Sequence, residues 1–258
     1  PRRGAPGKPV DVRPAGHSWR VPGAFKTEAV VLRSIRYGEA DRIVHLYSAT
    51  RGRIGAIAKG SRRPKSRFGG RLEPFFRLDL VLYEGRSDLC TVTAASTLEG
   101  HGRLRSDGAS LLAAGRACDA LLRLFDTGEP NAPAYNLLCK YLSLLDADPA
   151  AADPGTALAF RLKLALAAGF SPELASCARC GEGDHLTSFS GSAGGVVCAG
   201  CEGEGFRMSA EAHGFMVDAL ARPLSQAPDA GDWVAAQADR AITETLEHHA
   251  HVHLRAAA

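Results

Sequence analysis

The 258-residue chain has no run of about 18 consecutive apolar residues, so no segment reads as a membrane helix. Its N-terminus is basic but lacks the apolar stretch of a secretory signal. These absences predict a cytoplasmic protein with no membrane partner. Nucleotide-hydrolysis motifs are missing too. "GAIAKGS" does not have the spacing of a phosphate-binding G-x-x-x-x-G-K-[ST] loop. There is no G-x-G-x-x-G after a predicted strand, no G-x-S-x-G and no suggestive pair of acids. The expectation is a protein that is not an enzyme, uses no nucleotide cofactor and acts through binding energy.

A third absence is local. Residues 51–71 contain eight Lys and Arg and no Asp or Glu. The imbalance extends over the first part of the chain. Residues 1–98 hold 19 Lys and Arg against 8 Asp and Glu, net +11, whereas residues 99–258 hold 12 against 20, net −8. The whole chain is only +3. A division this large predicts a polyanion partner for the first part.

Seven cysteines are present. Cys90, Cys118 and Cys139 stand singly in apolar surroundings and read as small buried hydrophobes. The other four form Cys177-x2-Cys180 and Cys198-x2-Cys201, separated by 17 residues. In a reducing compartment this spacing predicts one tetrahedral zinc ion on a ribbon. Four thiolates leave no open coordination position, and no H-x-E precedes the knuckles, so the ion is expected to be structural. His249 and His253 are four residues apart on a predicted helix. They read as positive charge at a helix C-terminus rather than as a second metal site.

Three regions are expected. Residues 1–24 are rich in Pro, Gly and Arg and read as a basic flexible arm. Residues 25–98 hold five short segments rich in Val, Ile, Leu, Thr and Tyr: "TEAVVLR", "DRIVHLYS", "RIGAIAKG", "FRLDLVLYE" and "LCTVTAAST". Phe76, Leu78, Leu80 and Leu82 alternate with Arg77 and Asp79, the period of a half-buried strand. Five strands in this length suit the oligonucleotide-binding (OB) barrel. Residues 99–258 turn helical, with starts expected at Ser106, Asn131, Asp153-Pro154, Ser209 and Asp232 and the zinc segment inserted at 174–205. Leu111, Leu112, Cys118, Leu121, Leu122 and Phe125 are expected on the buried face of the first helix. The fold class is therefore α+β with several domains: an OB barrel, then an all-α domain carrying a four-cysteine ribbon.

The cationic stretch falls between the third and fourth strands. Arginine holds phosphate with two hydrogen bonds, lysine acts as a point charge, and aromatic rings beside them offer stacking to unpaired bases. The candidate nucleic-acid contacts are Arg36, Arg51, Arg53, Lys59, Arg62, Arg63, Lys65, Arg67 and Arg71, with Tyr37 and Phe68 as stacking rings. Phe75 and Phe76 lie close by, and Phe76 is expected in the core. The competing readings are a zinc-ribbon RNA-binding or transcription-associated module and a zinc enzyme acting on nucleic acid.

The order Tyr37-Gly38-Glu39, Gly52-Arg53, Ala58-Lys59-Gly60, Arg62-Arg63, Lys65-Ser66-Arg67, Gly69 and Leu72-Glu73-Pro74-Phe75 resembles the N-terminal barrel of the bacterial recombination mediator family RecO. "FRLKLALAAGFSPELASCARCG" is similar to that family's helix leading into its zinc segment. The resemblance implies a DNA repair and homologous recombination mediator of the RecF pathway. Such a protein binds single- and double-stranded DNA and anneals complementary strands without ATP. Its implied partners are RecR and the single-stranded-DNA-binding protein, with RecA loading as the outcome. The implied location is cytoplasmic and nucleoid-associated. Carried over, Lys59, Arg62, Arg63, Lys65 and Arg67 become DNA contacts, and the four paired cysteines zinc ligands.

Overall fold

The computed structural model describes residues 23–203 and 205–254. All but the last two residues of the predicted basic arm lie outside them. Among the described residues no helix is long and apolar enough to cross a membrane.

Five strands form a closed barrel: β1 (Gly23–Tyr37), β2 (Asp41–Ser48), β3 (Gly52–Ala58), β4 (Arg77–Glu84) and β5 (Cys90–Glu99), in the order β1-β2-β3-β5-β4. Closure depends on β1. Its first half, Gly23–Val30, pairs with β4, and its second half, Val30–Tyr37, pairs with β2. A register irregularity between Val31 and Arg33 accompanies that change of partner, as bulges do at barrel corners. A short parallel contact, Ala56 with Cys90 and Ile57 with Thr91, closes the other side. The expected alternation is present: in β4, Leu78, Leu80 and Leu82 are fully buried while Asp79 and Tyr83 are exposed. With Val44, Leu46, Ala56 and Val92 these leucines fill the barrel interior.

The helical domain contains α1 (Gly108–Leu124), α2 (Ala132–Ala147), α3 (Pro154–Ala167), α4 (Ala210–Ala221) and α5 (Asp232–Ala250). Asn131, Asp153 and Ser209 cap α2, α3 and α4 as expected, each accepting a backbone N–H three residues on. Two expectations about α1 need correction. Its cap is Asp107, accepting from Ser110 N, while Ser106 ends a preceding 3-10 turn. Its buried face is Ser110, Ala114, Ala117, Cys118 and Leu121, so Leu111 and Leu112 point outward, 44% and 56% exposed. Small alanines let α1 approach its neighbours closely, which rotates those leucines away. Helix α3 is buried almost all round and forms the domain's centre.

The two domains share a core. Val30, Leu32, Tyr47 and Phe75 of the barrel region join Leu121, Phe125 and Tyr135 of the helices, and the Tyr47 and Phe125 rings are 5.5 Å apart. Gly52, at φ +60°, is pressed against the loop after α1. A Cβ there would fall 2.0 Å from the Glu129 carbonyl oxygen, so only glycine fits this junction.

Between α3 and α4 lies a three-stranded sheet of β6 (Leu186–Ser190), β7 (Gly195–Cys198) and β8 (Phe206–Arg207), in the order β7-β6-β8. The hairpin was legible in the sequence; its third strand was not, because β8 is two residues long. Helix α5 ends at Ala250 with His251 in the left-handed region (φ 54°), so the expectation that one helix carries both His249 and His253 does not hold. His253 therefore lies beyond the helix, and His249 donates from Nε2 to the Gly191 carbonyl at 2.8 Å. The two histidines share no site.

Candidate nucleic-acid interface and metal centre

The segment from Lys59 to Phe76 forms consecutive turns with no strand or helix. Three apolar side chains hold it inward. Phe68 (1% exposed) and Leu72 belong to the barrel-interior core, and Phe75 belongs to the core shared with the helices. With Phe68, Leu72 and Phe75 turned in, the cations between them turn out: Arg62, Arg63, Lys65, Arg67 and Arg71 are all exposed. Burial at Phe68 corrects the expectation that its ring stacks on bases. The ring seats the segment, and the Arg67 guanidinium lies 4.9 Å from its centroid.

The same segment is tied to the β1–β2 turn. Gly60 N donates to Asp41 Oδ1 at 2.7 Å, Arg62 N donates to the Ala40 carbonyl at 2.9 Å, and Arg62 Nη1 reaches the Gly38 carbonyl at 3.2 Å. These bonds bring Arg36, Tyr37, Lys59 and Arg62 to one end of the barrel. Tyr37 is 53% exposed there. At the segment's far end Phe75 adopts φ 74°, rare for a bulky residue. His101 Nδ1–H donates to its carbonyl at 2.8 Å, and its own N–H donates to Val31 O at 2.9 Å, which hold that conformation.

Two of the nearby acids are engaged, and a third, Glu39, lies exposed in the β1–β2 turn. Glu73 accepts from Arg42 at 2.7 Å, and Asp41 accepts the Gly60 N–H. Among the described residues no carboxylate forms an ion pair with Arg36, Lys59, Arg62, Arg63, Lys65, Arg67 or Arg71. Arg36 also stands directly opposite Arg42 in the β1–β2 ladder. Like charges facing each other destabilise a sheet, and the Glu73 carboxylate beside Arg42 offsets this at one of the two. At this end of the barrel the exposed cations thus outnumber the acids Glu39, Asp41 and Glu73.

Arg51 and Arg53 do not belong to it. They lie at the start of β3 and Lys59 just past its end, so the strand separates them by roughly 20 Å. Arg51 pairs with Glu84 at 3.6 Å and covers the Phe25 ring. Arg53 donates to the Leu122 carbonyl at 2.5 Å and to Thr127 Oγ1, joining the barrel to α1 and the loop after it. Arg53 is thus built into the domain junction, while the partners of Arg51 lie within the barrel, on β1 and β4. Arg33, absent from the sequence-derived set, is exposed on the outer barrel face opposite His45. Partial burial, then the charges of Arg33 and Arg53, hold the His45 imidazole below its usual range. Period-2 alternation through Arg33, Ile35 and Tyr37 was the signal that could have found it.

The four paired cysteines converge as the spacing predicts. Their sulfurs all lie within 4.8 Å of one another, with Cys180 and Cys198 at 3.7 Å. Tetrahedral thiolate ligation with metal–sulfur bonds of about 2.3 Å places sulfurs about 3.8 Å apart, so the set could hold one metal ion. Donor chemistry and spacing suit zinc. The knuckles are shaped by their own backbone: Gly181 N donates to the Cys177 carbonyl, and Ala178 N donates to the Val196 carbonyl. The Cys198 N–H, then those of Cys180 and Arg179, hold the Cys177 thiol down to about 6. Sulfur neighbours, Cys180 first and then Cys198, push Cys201 up to about 12. Four thiols this close resist losing all their protons unless a cation sits among them. The core beneath them is small, with Val197 as its one fully buried residue other than cysteine.

Residues 23–101 match the family described as Recombination protein O N terminal, and residues 105–257 match Recombination protein O C terminal. The DNA repair protein RecO of Anaeromyxobacter sp. strain K is 37% identical over 238 residues, covering 87% of this chain and 91% of that protein. The RecO of Rubrobacter xylanophilus is 38% identical over 186 residues, 70% of this chain and 72% of the relative. That of Bifidobacterium animalis subsp. lactis is 42% identical over 178 residues, 67% and 72%. The barrel, the helical domain and the cysteine centre thus sit within one known pattern, and the chain belongs to the RecO family of DNA repair and recombination proteins.

Proposed function

We propose that this chain is a recombination mediator that binds single- and double-stranded DNA and anneals complementary strands without ATP. The observation that carries this reading is the set of exposed cations at one end of the barrel with no carboxylate partner among the described residues. Two single strands repel each other through their phosphates. A surface that binds both lowers that repulsion and raises their effective concentration, and base pairing then supplies the free energy. The contacts are Arg36, Lys59, Arg62, Arg63, Lys65, Arg67 and Arg71, with Tyr37 offering an exposed ring. No step breaks a covalent bond, so the protein is not an enzyme.

Cys177, Cys180, Cys198 and Cys201 hold a structural zinc ion in this reading. The ion would supply charge neutralisation and cross-linking to a segment with little core of its own. The acidic helical domain serves mainly as the docking part, for RecR and the single-stranded-DNA-binding protein, through which RecA is loaded. Its net charge of −8 over residues 99–258 makes it a poor general surface for phosphates.

The test is annealing of two complementary strands in the absence of any nucleotide, followed by fluorescence quenching. Protein at stoichiometric amounts is expected to accelerate annealing at least tenfold. Acceleration that needs ATP, or none at all, would overturn the proposal.

A further inference from the structure

Three isoleucines cross the outer face of the barrel in one row. Ile35 in β1 stands opposite Ile43 in β2, and Ile43 stands opposite Ile57 in β3. Ile35 is 42% exposed and the other two are half-buried. None of them packs against either the barrel-interior core or the core shared with the helices. Neighbouring strands are about 4.8 Å apart, so the row presents an apolar strip roughly 10 Å long across the sheet.

Both margins of this strip are cationic or aromatic. One step along the strands, the next outward pair is Arg33 opposite His45. On the other side lie Tyr37, paired with Asp41, and Lys59, which follows β3. Neither Arg33 nor Lys59 has a carboxylate partner among the described residues. The Asp41 carboxylate accepts the Gly60 N–H, which directs its charge into the turn.

Apolar centre and cationic margins match a single nucleic-acid strand, which carries flat apolar base faces between its phosphates. A duplex presents phosphates but keeps those faces stacked inside. We propose that Ile35, Ile43 and Ile57 form a platform for the unstacked bases of a single strand, whose phosphates are held by the cations on either side. This rests on the DNA-binding reading above and adds to it a basis for telling single strands from duplex.

The experiment uses the full-length protein with Ile35→Ser and Ile35→Trp, since Ile35 is the most exposed of the three. Affinities for a single strand and for a duplex of equal length are measured at several salt concentrations. Ile35→Ser is expected to weaken single-strand binding about fivefold, the lower end of what a base contact contributes. Ile35→Trp is expected to strengthen it several-fold by stacking. Duplex affinity should stay within about twofold, and the salt dependence of both should be unchanged, because no phosphate contact is touched. Equal changes for single strand and duplex would overturn the platform. So would no change in either variant while charge reversal at Arg62, Arg63 and Lys65 abolishes binding. If the charge reversal itself leaves binding intact, the underlying DNA-binding reading fails instead.

Discussion

Replacing Arg62, Arg63 and Lys65 together by glutamate is expected to abolish strand annealing and to weaken single-strand binding by roughly 100-fold or more at 0.1 M salt. The magnitude follows from counterion release. Each phosphate contact to a single strand contributes a factor of about 5 at that salt concentration, so losing three gives on the order of 100, and reversed charge adds repulsion. The fold should survive. All three side chains are exposed, and among the described residues they make a single side-chain hydrogen bond, from Arg62 Nη1 to the Gly38 carbonyl. The segment is seated by Phe68, Leu72 and Phe75, which the substitutions leave alone. Surface changes of this kind cost about 0.5 kcal/mol each at most, so the melting temperature should fall by no more than a few degrees. Annealing that persists in a folded triple variant would place the strands elsewhere. Loss of annealing together with a large drop in melting temperature would mean that the segment is structural.

The second large effect concerns the cysteine centre. Chelation is expected to release one zinc ion per chain and to make residues 178–203 protease-sensitive while the helical core persists. The reason is the small core beneath the site, where Val197 is the one fully buried residue besides cysteines. A segment with so little apolar burial depends on the free energy of ligation, which in small zinc domains amounts to about 10–16 kcal/mol. Part of the segment is attached independently of the ion. Phe189 and Val196 reach the shared core, Gly195 lies against the Glu173 backbone, and His249 holds the Gly191 carbonyl. Within residues 178–203 cleavage should therefore fall in the knuckles, around 178–185 and 199–203, and spare the β6–β7 hairpin. Cys177→Ser/Cys198→Ser should reproduce the chelated state, as read by proteolysis and by metal content. Unchanged protection after complete metal removal would show that the ribbon folds without an ion.

These two features were legible in the sequence for different reasons. The cysteine site rests on local spacing: two residues between thiols make a knuckle, and the 17-residue spacer makes a hairpin. The barrel strands were visible because alternation in "FRLDLVLYE" and its companions is itself the record of one buried face. The cationic segment was harder. It has no regular period, so nothing in the sequence says that Phe68 turns inward while Arg67 beside it turns out; burial in the barrel end decides this. Arg51 and Arg53 are close to Lys59 in the chain, yet an intervening extended strand carries them to the opposite end. Cross-strand register was beyond reach as well. That Ile35, Ile43 and Ile57 share a row depends on which residues pair, and short turns alone do not fix this. The shift of the α1 cap from Ser106 to Asp107 is a choice between two adjacent capping residues that the local pattern leaves open.

The most direct test of the cationic surface is the dependence of single-strand affinity on salt. About seven phosphates neutralised by the unpaired lysines and arginines predict a log–log slope near −5, falling to about −3 in the triple charge reversal. A slope near zero for the wild-type chain, or one that the reversal leaves unchanged, would contradict the claim that these side chains hold the strand.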